Sequence, residues 1–348
     1  MNENLEKIEK IISNIENKNI KFYFFIPSIE TPNSSMYQIY WNATIIKEMG
    51  YESVILTESD DYKKPYFVDE SLMKMKHTKV TNKISIAPED FLIIPEIFTN
   101  VMEQLKNFTC EKIVLLQSID YALHSLTPGV QWSDFGITKV LTVSDSLKEM
   151  VHDFFGEYYN IKRYKIGVSD LFKKNGELKK PIISFISRNG NDITDIIKLF
   201  YLKYPHLRFV TFQELSGLDR DTYAKKLKDS IACLWIDNIS TFGTVPLECM
   251  KANTVPIGLI PRIEHEYIQD YSGIWVYELF KIPDMVASVL TKFLEDEIPV
   301  QFENKMKEIS DYYSVDASKE SLISVYNDFI NERLGYFKKL LELEKQDV

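Results

Sequence analysis

Residues 240–258 read STFGTVPLECMKANTVPIG and follow a continuous apolar run, IACLWI, at 231–236. The run predicts a buried strand. Pro246 predicts the start of a helix, because proline has no N–H to leave unpaired at the first helical position. A helix N-terminus carries partial positive charge and free amides, which bind phosphate well. Glu248, on the first turn, is placed to accept hydrogen bonds from a sugar. The stretch therefore predicts a nucleoside diphosphate site.

The rest of the chain alternates short apolar segments with amphipathic ones. Continuous apolar runs predict strands of a buried parallel sheet, and apolar residues at helical spacing predict helices between them. In the first half we expect strands at 21–26, 53–56, 91–94, 112–116 and 139–142, and helices at 3–17, 35–49 and 146–155. In the second half we expect strands at 182–186, 208–212, 232–236, 254–257 and 274–276, and helices at 192–203, 222–228, from Pro246 onward and at 283–295.

These two series of strands and helices predict two doubly wound α/β domains. The polar stretch 172–181 contains glycine and proline, and we expect it to be the linker. The predicted N-terminal domain is therefore 1–175 and the predicted C-terminal domain 176–301. Residues 302–348 are predicted to be helical and to pack back onto the first domain.

The composition is that of a globular protein. The chain has 348 residues, of which 45% are hydrophobic and 26% charged, and its net charge of −10 gives no overall attraction to nucleic acid. No apolar run approaches the roughly 20 residues that span a bilayer. The N-terminus has no secretory pattern, and three scattered cysteines fit a reducing compartment. We therefore expect a cytoplasmic protein.

The stretch 240–258 resembles the donor-site motif of retaining GT-B glycosyltransferases of the GT4-like group (glycosyl transferases group 1), roughly E-G-F-G-x-x-x-x-E-A-M-A-x-G-x-P-V-I. The matching residues are Phe242, Gly243, Glu248, Met250, Ala252, Pro256 and Ile257. Two positions differ, because Ser240 replaces the first glutamate of the motif and Asn253 replaces a glycine.

The resemblance extends over about 140–300. The segments VSDSLKEMV at 143–151, IGVSDLF at 166–172, ISRNG at 186–190 and EYIQDYSG at 266–273 follow the family's order and spacing. The resemblance implies a GT-B fold, in which two Rossmann-like domains face a central cleft. It also implies an enzyme that transfers a sugar from a nucleotide diphosphate sugar to a hydroxyl, with retention and without a metal.

The same resemblance assigns roles on the donor side. It implies that Arg188 contacts the diphosphate, as a catalytic residue, that Glu248 holds the ribose, and that Gln213 lies near the base. The predicted donor-binding residues are Arg188, Gln213, Ser240, Thr241, Phe242, Gly243, Thr244, Val245 and Glu248. Arg188 could instead pair with Asp192 or Asp195, and Glu248 could simply interact with the helix dipole. Since Ser240 is short and neutral, we expect it to select a pentose or a deoxysugar.

Polar residues follow two strands of the first domain, at the sheet edge where open α/β folds bind ligands. We expect the acceptor near these residues, which are Asn33, Ser34, Ser35, Gln117 and the catalytic candidate Asp120. The alternative for Asn33, Ser34, Ser35 and Asp120 is that they only cap a helix.

The sequence thus predicts a hexosyl- or pentosyltransferase that acts on a glycan, a small molecule or a modified DNA base. One alternative is a nucleotide-sugar epimerase on the same fold. Another is a non-catalytic scaffold or subunit, which the serine at 240 would explain. The histidines and cysteines have no metal-binding spacing, so we expect no metal and no cofactor beyond the nucleotide sugar. No G-x-G-x-x-G or Walker A motif supports a dehydrogenase or a P-loop enzyme.

Overall fold

The computed structural model describes residues 3–27, 34–58, 74–80, 84–174, 176, 178–187, 190–237, 242–295 and 299–346. The chain forms two compact units. Unit 1 consists of Met1–Val143, Leu147–Lys165 and Lys319–Val348, and unit 2 consists of Ser144–Ser146 and Ile166–Ser318. None of the described helices is both long enough and apolar enough to cross a membrane.

Unit 1 contains a seven-stranded parallel sheet. Its strands are β1 (Lys21–Phe25), β2 (Glu52–Thr57), β3 (Lys76–Lys79), β4 (Phe91–Pro95), β5 (Glu111–Leu116), β6 (Lys139–Thr142) and β7 (Asn160–Arg163). Their order is β3-β2-β1-β4-β5-β6-β7, which is the doubly wound order 3-2-1-4-5-6 with one strand added. The direction of crossover reverses between β1 and β4, so the carboxyl ends of these strands form the switch point where such folds bind ligands.

The helices that connect this sheet are α1 (Glu3–Glu16), α2 (Ser34–Glu48), α3 (Thr99–Gln104), α4 (Ile119–Ser125) and α5 (Asp145–Phe155). The core contains a stack of aromatic rings. Phe22 of β1 lies parallel to Phe91 of β4 at 4.6 Å between centroids, and Tyr326 from the C-terminal region meets Phe22 edge-on at 5.8 Å. This contact ties the end of the chain to the first strand.

Unit 2 contains a five-stranded parallel sheet. Its strands are β8 (Lys180–Ser187), β9 (Thr211–Glu214), β10 (Ser230–Ile236), β11 (Val255–Leu259) and β12 (Ile274–Val276). The order β12-β11-β10-β8-β9 is the 2-1-3-4-5 order of doubly wound folds, counted from β8. The helices are α6 (Gly190–Lys203), α7 (Arg220–Asp229), α8 (Val245–Lys251), α9 (Ile282–Leu294), α10 (Val300–Tyr312) and α11 (Val315–Gln346), of which α11 continues into unit 1.

The strand predicted at 208–212 is displaced in the structure. After Pro205 the chain makes a short 3-10 turn, and the Val210 amide still donates to the carbonyl of Leu207, so β9 begins only at Thr211. Gln213 therefore lies within β9 and does not follow it, contrary to the sequence prediction.

The boundaries of the units also differ from the predicted domains. The chain passes into unit 2 at 165–166 and leaves it at 318–319, so that α10 belongs to unit 2. Val168, just after the chain enters unit 2, is already bonded within that unit. Its amide donates to the carbonyl of Tyr313 at 2.9 Å, and its carbonyl accepts a hydrogen bond from Lys251 Nζ at 2.7 Å. Phe172, in the predicted linker, is fully buried. From Lys319 onward α11 belongs to unit 1.

A half-buried lysine, Lys179, fixes the C-terminal ends of two helices in unit 2. Lys179 Nζ donates to the carbonyls of Lys228 and Ala252, at the ends of α7 and α8, and to Thr254 Oγ1, at 2.7 to 2.8 Å. Thr254 donates its own hydrogen to a carbonyl at 2.8 Å, so all three bonds need the ammonium form. Burial lowers the pKa of Lys179 to about 7. The lysine thereby fixes α8, the helix predicted to bind the donor.

Candidate functional site

The switch point of the second sheet lies between β8 and β10. Ser187 and Ile236, the last residues of these strands, are register partners, so the two strands end side by side. In the sequence, Arg188 comes directly after β8, and residues 240–243 follow β10. The sequence predictions for Arg188, Ser240 and Thr241 fall outside the described residues. The strand order nevertheless brings the ends of both predicted donor segments to one edge, where a nucleotide would bind.

Gly243 makes the turn that leads into α8. Its φ is +61°, and a Cβ at this position would lie 2.6 Å from the ring of Trp235 in β10. Trp235 is itself held by Trp275, which meets it edge-on at 6.1 Å. Glycine is required here for both reasons, since side chains disfavour this backbone conformation and the indole fills the space. Thr244, half-buried, is the N-cap of α8, and Val245 and Pro246 are its first two residues.

Phe242 contributes its backbone to this turn and its ring to the core. The side chain is 2% exposed and packs against His265 and Tyr313, with centroids 5.1 and 5.7 Å away. The hydroxyl of Tyr267 donates to the Phe242 carbonyl. The ring of Phe242 therefore holds the turn in place, and its backbone is the part that a nucleotide sugar would contact.

Glu248 lies on the first turn of α8 and is half-buried. Its Oε2 accepts a hydrogen bond from Tyr223 Oη at 2.6 Å, and its Oε1 lies 3.5 Å from Thr244 Oγ1. Burial raises the pKa of Glu248, while the positive charge of Arg220 and the two hydroxyls act in the opposite direction. The carboxylate is thus oriented by α7 and by its own helix.

Tyr223 and Arg220 were not predicted from the sequence. Both lie on α7, and Phe172 joins them because it meets the Tyr223 ring edge-on at 5.5 Å and lies under the Arg220 guanidinium at 5.5 Å. Burial, and then the charge of Glu248, raise the pKa of Tyr223 well above its usual value, so this phenol remains a donor. A tyrosine on an amphipathic helix is ordinarily interpreted as a core residue. The contact between Tyr223 and Glu248 was therefore revealed only by the fold.

The side chain of Gln213 bonds within the protein. Its Nε2 donates to Ser184 Oγ, Ser230 Oγ and the carbonyl of Lys226 at 3.0 to 3.1 Å. Ser230 begins β10, so these bonds direct the amide away from the carboxyl edge of the sheet. They do not favour the predicted contact with a nucleotide base, which stays a prediction.

Asn253 explains one of the two departures from the family motif. It has a φ of +53° just after α8, the left-handed conformation in which glycine is favoured and asparagine is the usual substitute. Its side chain also donates to Glu303 at 2.9 Å. The replacement of glycine therefore preserves the end of α8.

On unit 1, the structure brings two predicted acceptor-side segments together. Gln117 Nε2 donates to the carbonyl of Ser35 at 3.1 Å, which joins the loop after β5 to the first turn of α2. Ser34 is exposed on the same turn, and Asn33 falls outside the described residues. Asp120 is half-buried on the first turn of α4. The predicted roles of these residues stay predictions, but most of them meet at one edge of the sheet.

Glu96 is a further residue at this edge that the sequence did not reveal. It follows β4 at the switch point, is 3% exposed, and its Oε1 accepts hydrogen bonds from the amides of Gln117 and Ser118 at 3.2 and 2.9 Å. Burial raises its pKa to about 7. The signal that would have found it is a carboxylate placed directly after the buried strand FLIIP.

Within the described part of the chain, no three histidine, cysteine, aspartate or glutamate side chains come together in a group that could hold a metal ion. Whether the reaction needs a metal stays a prediction.

Comparisons with known proteins agree with this architecture. No protein-family model matches the chain. The alpha-1,6-glucosyltransferase of Actinobacillus pleuropneumoniae is 22% identical over 272 residues, which cover 72% of this chain and 79% of that protein.

Solved structures match nearly the whole chain. Anabaena HepE, solved with UDP and glucose, has a TM-score of 0.67 and 11% identity, covering 89% of this chain and 100% of HepE. The pneumococcal O-GlcNAc transferase GtfA, solved with UDP and GlcNAc, has a TM-score of 0.60 and 8% identity, covering 90% and 99%. Sucrose-phosphate synthase from Thermosynechococcus elongatus has a TM-score of 0.63 and 10% identity, covering 90% and 100%. The predicted fold class is therefore confirmed: the chain has the two-sheet GT-B fold of the glycosyltransferases to which it is similar.

Proposed function

We propose that this protein is a retaining, GT4-like glycosyltransferase that transfers a sugar from a UDP-sugar to an acceptor hydroxyl. The observation that carries the proposal is Glu248, held by Tyr223 beside the Gly243 turn at the switch point of unit 2. An oriented carboxylate at this place suits the hydroxyls of a ribose. UDP is proposed as the nucleotide because HepE and GtfA, which share the fold, were solved with it.

The donor side is proposed to stabilise the leaving diphosphate. Negative charge grows on this group as the sugar bond breaks, and donors placed in advance stabilise such charge most effectively. The first-turn amides of a helix have no helical carbonyl to bind, so the amide of Val245, together with those of Gly243 and Thr244 just before α8, is proposed to bind the phosphates. Arg188, which follows β8 directly in the sequence, is proposed to supply positive charge. In this proposal no metal is required.

The acceptor side is proposed to lie on unit 1, at the edge that carries Ser35, Gln117 and Asp120. The acceptor is proposed to be a hydroxyl on a glycan or a small molecule. The serine at 240 favours a second candidate, a GT-B scaffold that binds the nucleotide without turnover, because the carboxylate that the family uses toward the sugar is missing.

Thermal unfolding in the presence of nucleotides tests the nucleotide site. A ligand at 100 times its dissociation constant adds about 2.7 kcal/mol of stability, which corresponds to roughly 5–10 °C for a unit of this size. We expect millimolar UDP to raise the melting temperature, with GDP and ADP as comparisons. If none of the three changes it, the proposed site is wrong.

A further inference from the structure

Glu96 makes a connection between the switch point of unit 1 and the proposed acceptor loop. One carboxylate oxygen of Glu96 accepts hydrogen bonds from the two backbone amides at the start of that loop, those of Gln117 and Ser118. The main chain of Glu96 is fixed as well, since its amide donates to the carbonyl of Leu115 in β5 and its carbonyl accepts from Ser125 Oγ at 2.7 Å. Glu96 therefore joins β4 to the end of β5 through its amide, to the start of α4 through its carboxylate and to the end of α4 through its carbonyl.

The loop that Glu96 holds carries polar side chains toward the same edge. Ser118 caps α4 by accepting from the amide of Tyr121 at 3.4 Å, Gln117 reaches the carbonyl of Ser35, and Asp120 lies on the first turn of α4. The direction of all three side chains depends on the backbone at 117–118. A shift of that backbone would move them together.

We propose that Glu96 is a positioning residue for the acceptor side of the reaction, which it serves by fixing the backbone that directs Gln117 and Asp120. This inference rests on the function proposed above. Glu96 is too deeply buried to touch the substrate, so it acts through the loop.

A carboxyl group is a costly choice at position 96, which indicates that the ability of Glu96 to ionise has a use. A glutamine could accept both amides with its carbonyl oxygen and would avoid the cost of burying a carboxylate. Among the described residues, no cation shifts the titration of Glu96, and the amide hydrogen bonds only partly oppose the effect of burial. The titratable side chain that couples to it is the buried phenol of Tyr164, whose own pKa is raised and which stays neutral.

The ionised form of Glu96 binds the two amides more strongly than the neutral form, because a hydrogen bond to a charged acceptor is the stronger one. With a pKa of about 7, the carboxyl changes from mostly neutral to mostly ionised as the pH rises from 6 to 8. The loop should therefore be held more firmly, and turnover should increase, over this interval.

Two variants of Glu96 and one control test the proposal, with UDP-glucose as the sugar donor and water as the acceptor. Glu96→Gln keeps the acceptor oxygen but cannot titrate, and Glu96→Ala loses both bonds. Glu103→Gln, at an exposed position of α3, is the matched control. The readouts are kcat and KM from pH 6 to 8, the affinity for UDP, and the pH dependence of the Gln117 and Ser118 amide proton shifts by NMR.

We expect kcat of Glu96→Ala to fall at least about tenfold, because a small misplacement of substrate-positioning groups lowers the rate strongly. The affinity for UDP should stay within about twofold of the wild-type value, because UDP is proposed to bind unit 2. Glu96→Gln should keep the low-pH turnover of the wild type at every pH and lose the titration of both amides. The control should behave as wild type.

The failures can be told apart. If UDP does not bind the wild type, the proposed function fails and the inference fails with it. If UDP binds and turnover occurs but both Glu96 variants match the wild type in kcat and in pH profile, only the role of Glu96 is overturned. Binding of UDP without turnover of UDP-glucose or another UDP-sugar also overturns it, since there is then no transfer to position. Should Glu96→Ala not fold, the pH profile of Glu96→Gln decides alone.

Discussion

Replacing Glu248 with alanine should weaken the binding of UDP by about 10- to 150-fold without unfolding the protein. The carboxylate is half-buried, oriented by Tyr223 at 2.6 Å, and placed for charge-assisted hydrogen bonds to a ribose. Such bonds contribute about 1.5–3 kcal/mol, and about 1.36 kcal/mol corresponds to each factor of ten. The assay is calorimetric titration with UDP, and Glu149→Ala, the same change at an exposed position of α5, is the control.

The pH dependence of the affinity tests the same site in a second way. Burial raises the pKa of Glu248, and the hydrogen bond from Tyr223 opposes this rise. UDP affinity should therefore fall on acidification as the carboxylate becomes neutral, and in Tyr223→Phe the fall should begin at a higher pH. If Glu248→Ala binds UDP as tightly as the wild type, Glu248 only interacts with the helix dipole and the reasoning is refuted.

Three further changes test other parts of the structure. Gly243→Ala should destabilise unit 2 by about 1–3 kcal/mol and reduce UDP binding, because its methyl group would lie 2.6 Å from Trp235; thermal melts should show no loss for Gly335→Ala, where the space is open. Ser240→Glu should shift relative turnover from nucleotide pentoses toward hexoses, and a wild type that strongly prefers UDP-glucose would leave the serine unexplained. The pKa of Glu96 is about 7 in the folded chain against 4.5 as the ordinary value, so its contribution to stability is present below pH 4.5 and is lost as the pH rises through 7. Between pH 4.5 and 7, denaturant titrations should show the free energy of unfolding of Glu96→Gln rising by about 3 kcal/mol relative to that of the wild type. If the two free energies change in parallel with pH, the raised pKa of Glu96 is contradicted.

The sequence predicted the central strands of both sheets because these strands are buried on both faces. The strands that it missed are polar. KHTK in β3 and NIKR in β7 lie at the two edges of the first sheet, where solvent or helices cover them only in part, so they show no continuous apolar run. The strand predicted at 208–212 begins only at Thr211, because a separate 3-10 turn at Pro205–Leu207 follows α6.

The predictable part of the site is the part that lies within one continuous segment. Gly243, Pro246 and Glu248 are neighbours in the chain, and the motif alone placed them at a turn and a helix start. Tyr223 reaches Glu248 from another helix, and Glu96 reaches Gln117 from another strand. Contacts between distant segments leave no spacing in the sequence, so these residues became visible only with the fold.

The most direct test of glycosyl transfer is the release of UDP from a panel of UDP-hexoses, UDP-pentoses and UDP-deoxysugars by the purified protein, with and without a metal chelator. We expect at least one donor to yield UDP at a rate that the chelator does not change and that Glu248→Ala lowers. Release of UDP from none of the donors at millimolar concentration would contradict the proposed activity, and if UDP still stabilised the fold, it would leave a nucleotide-binding scaffold.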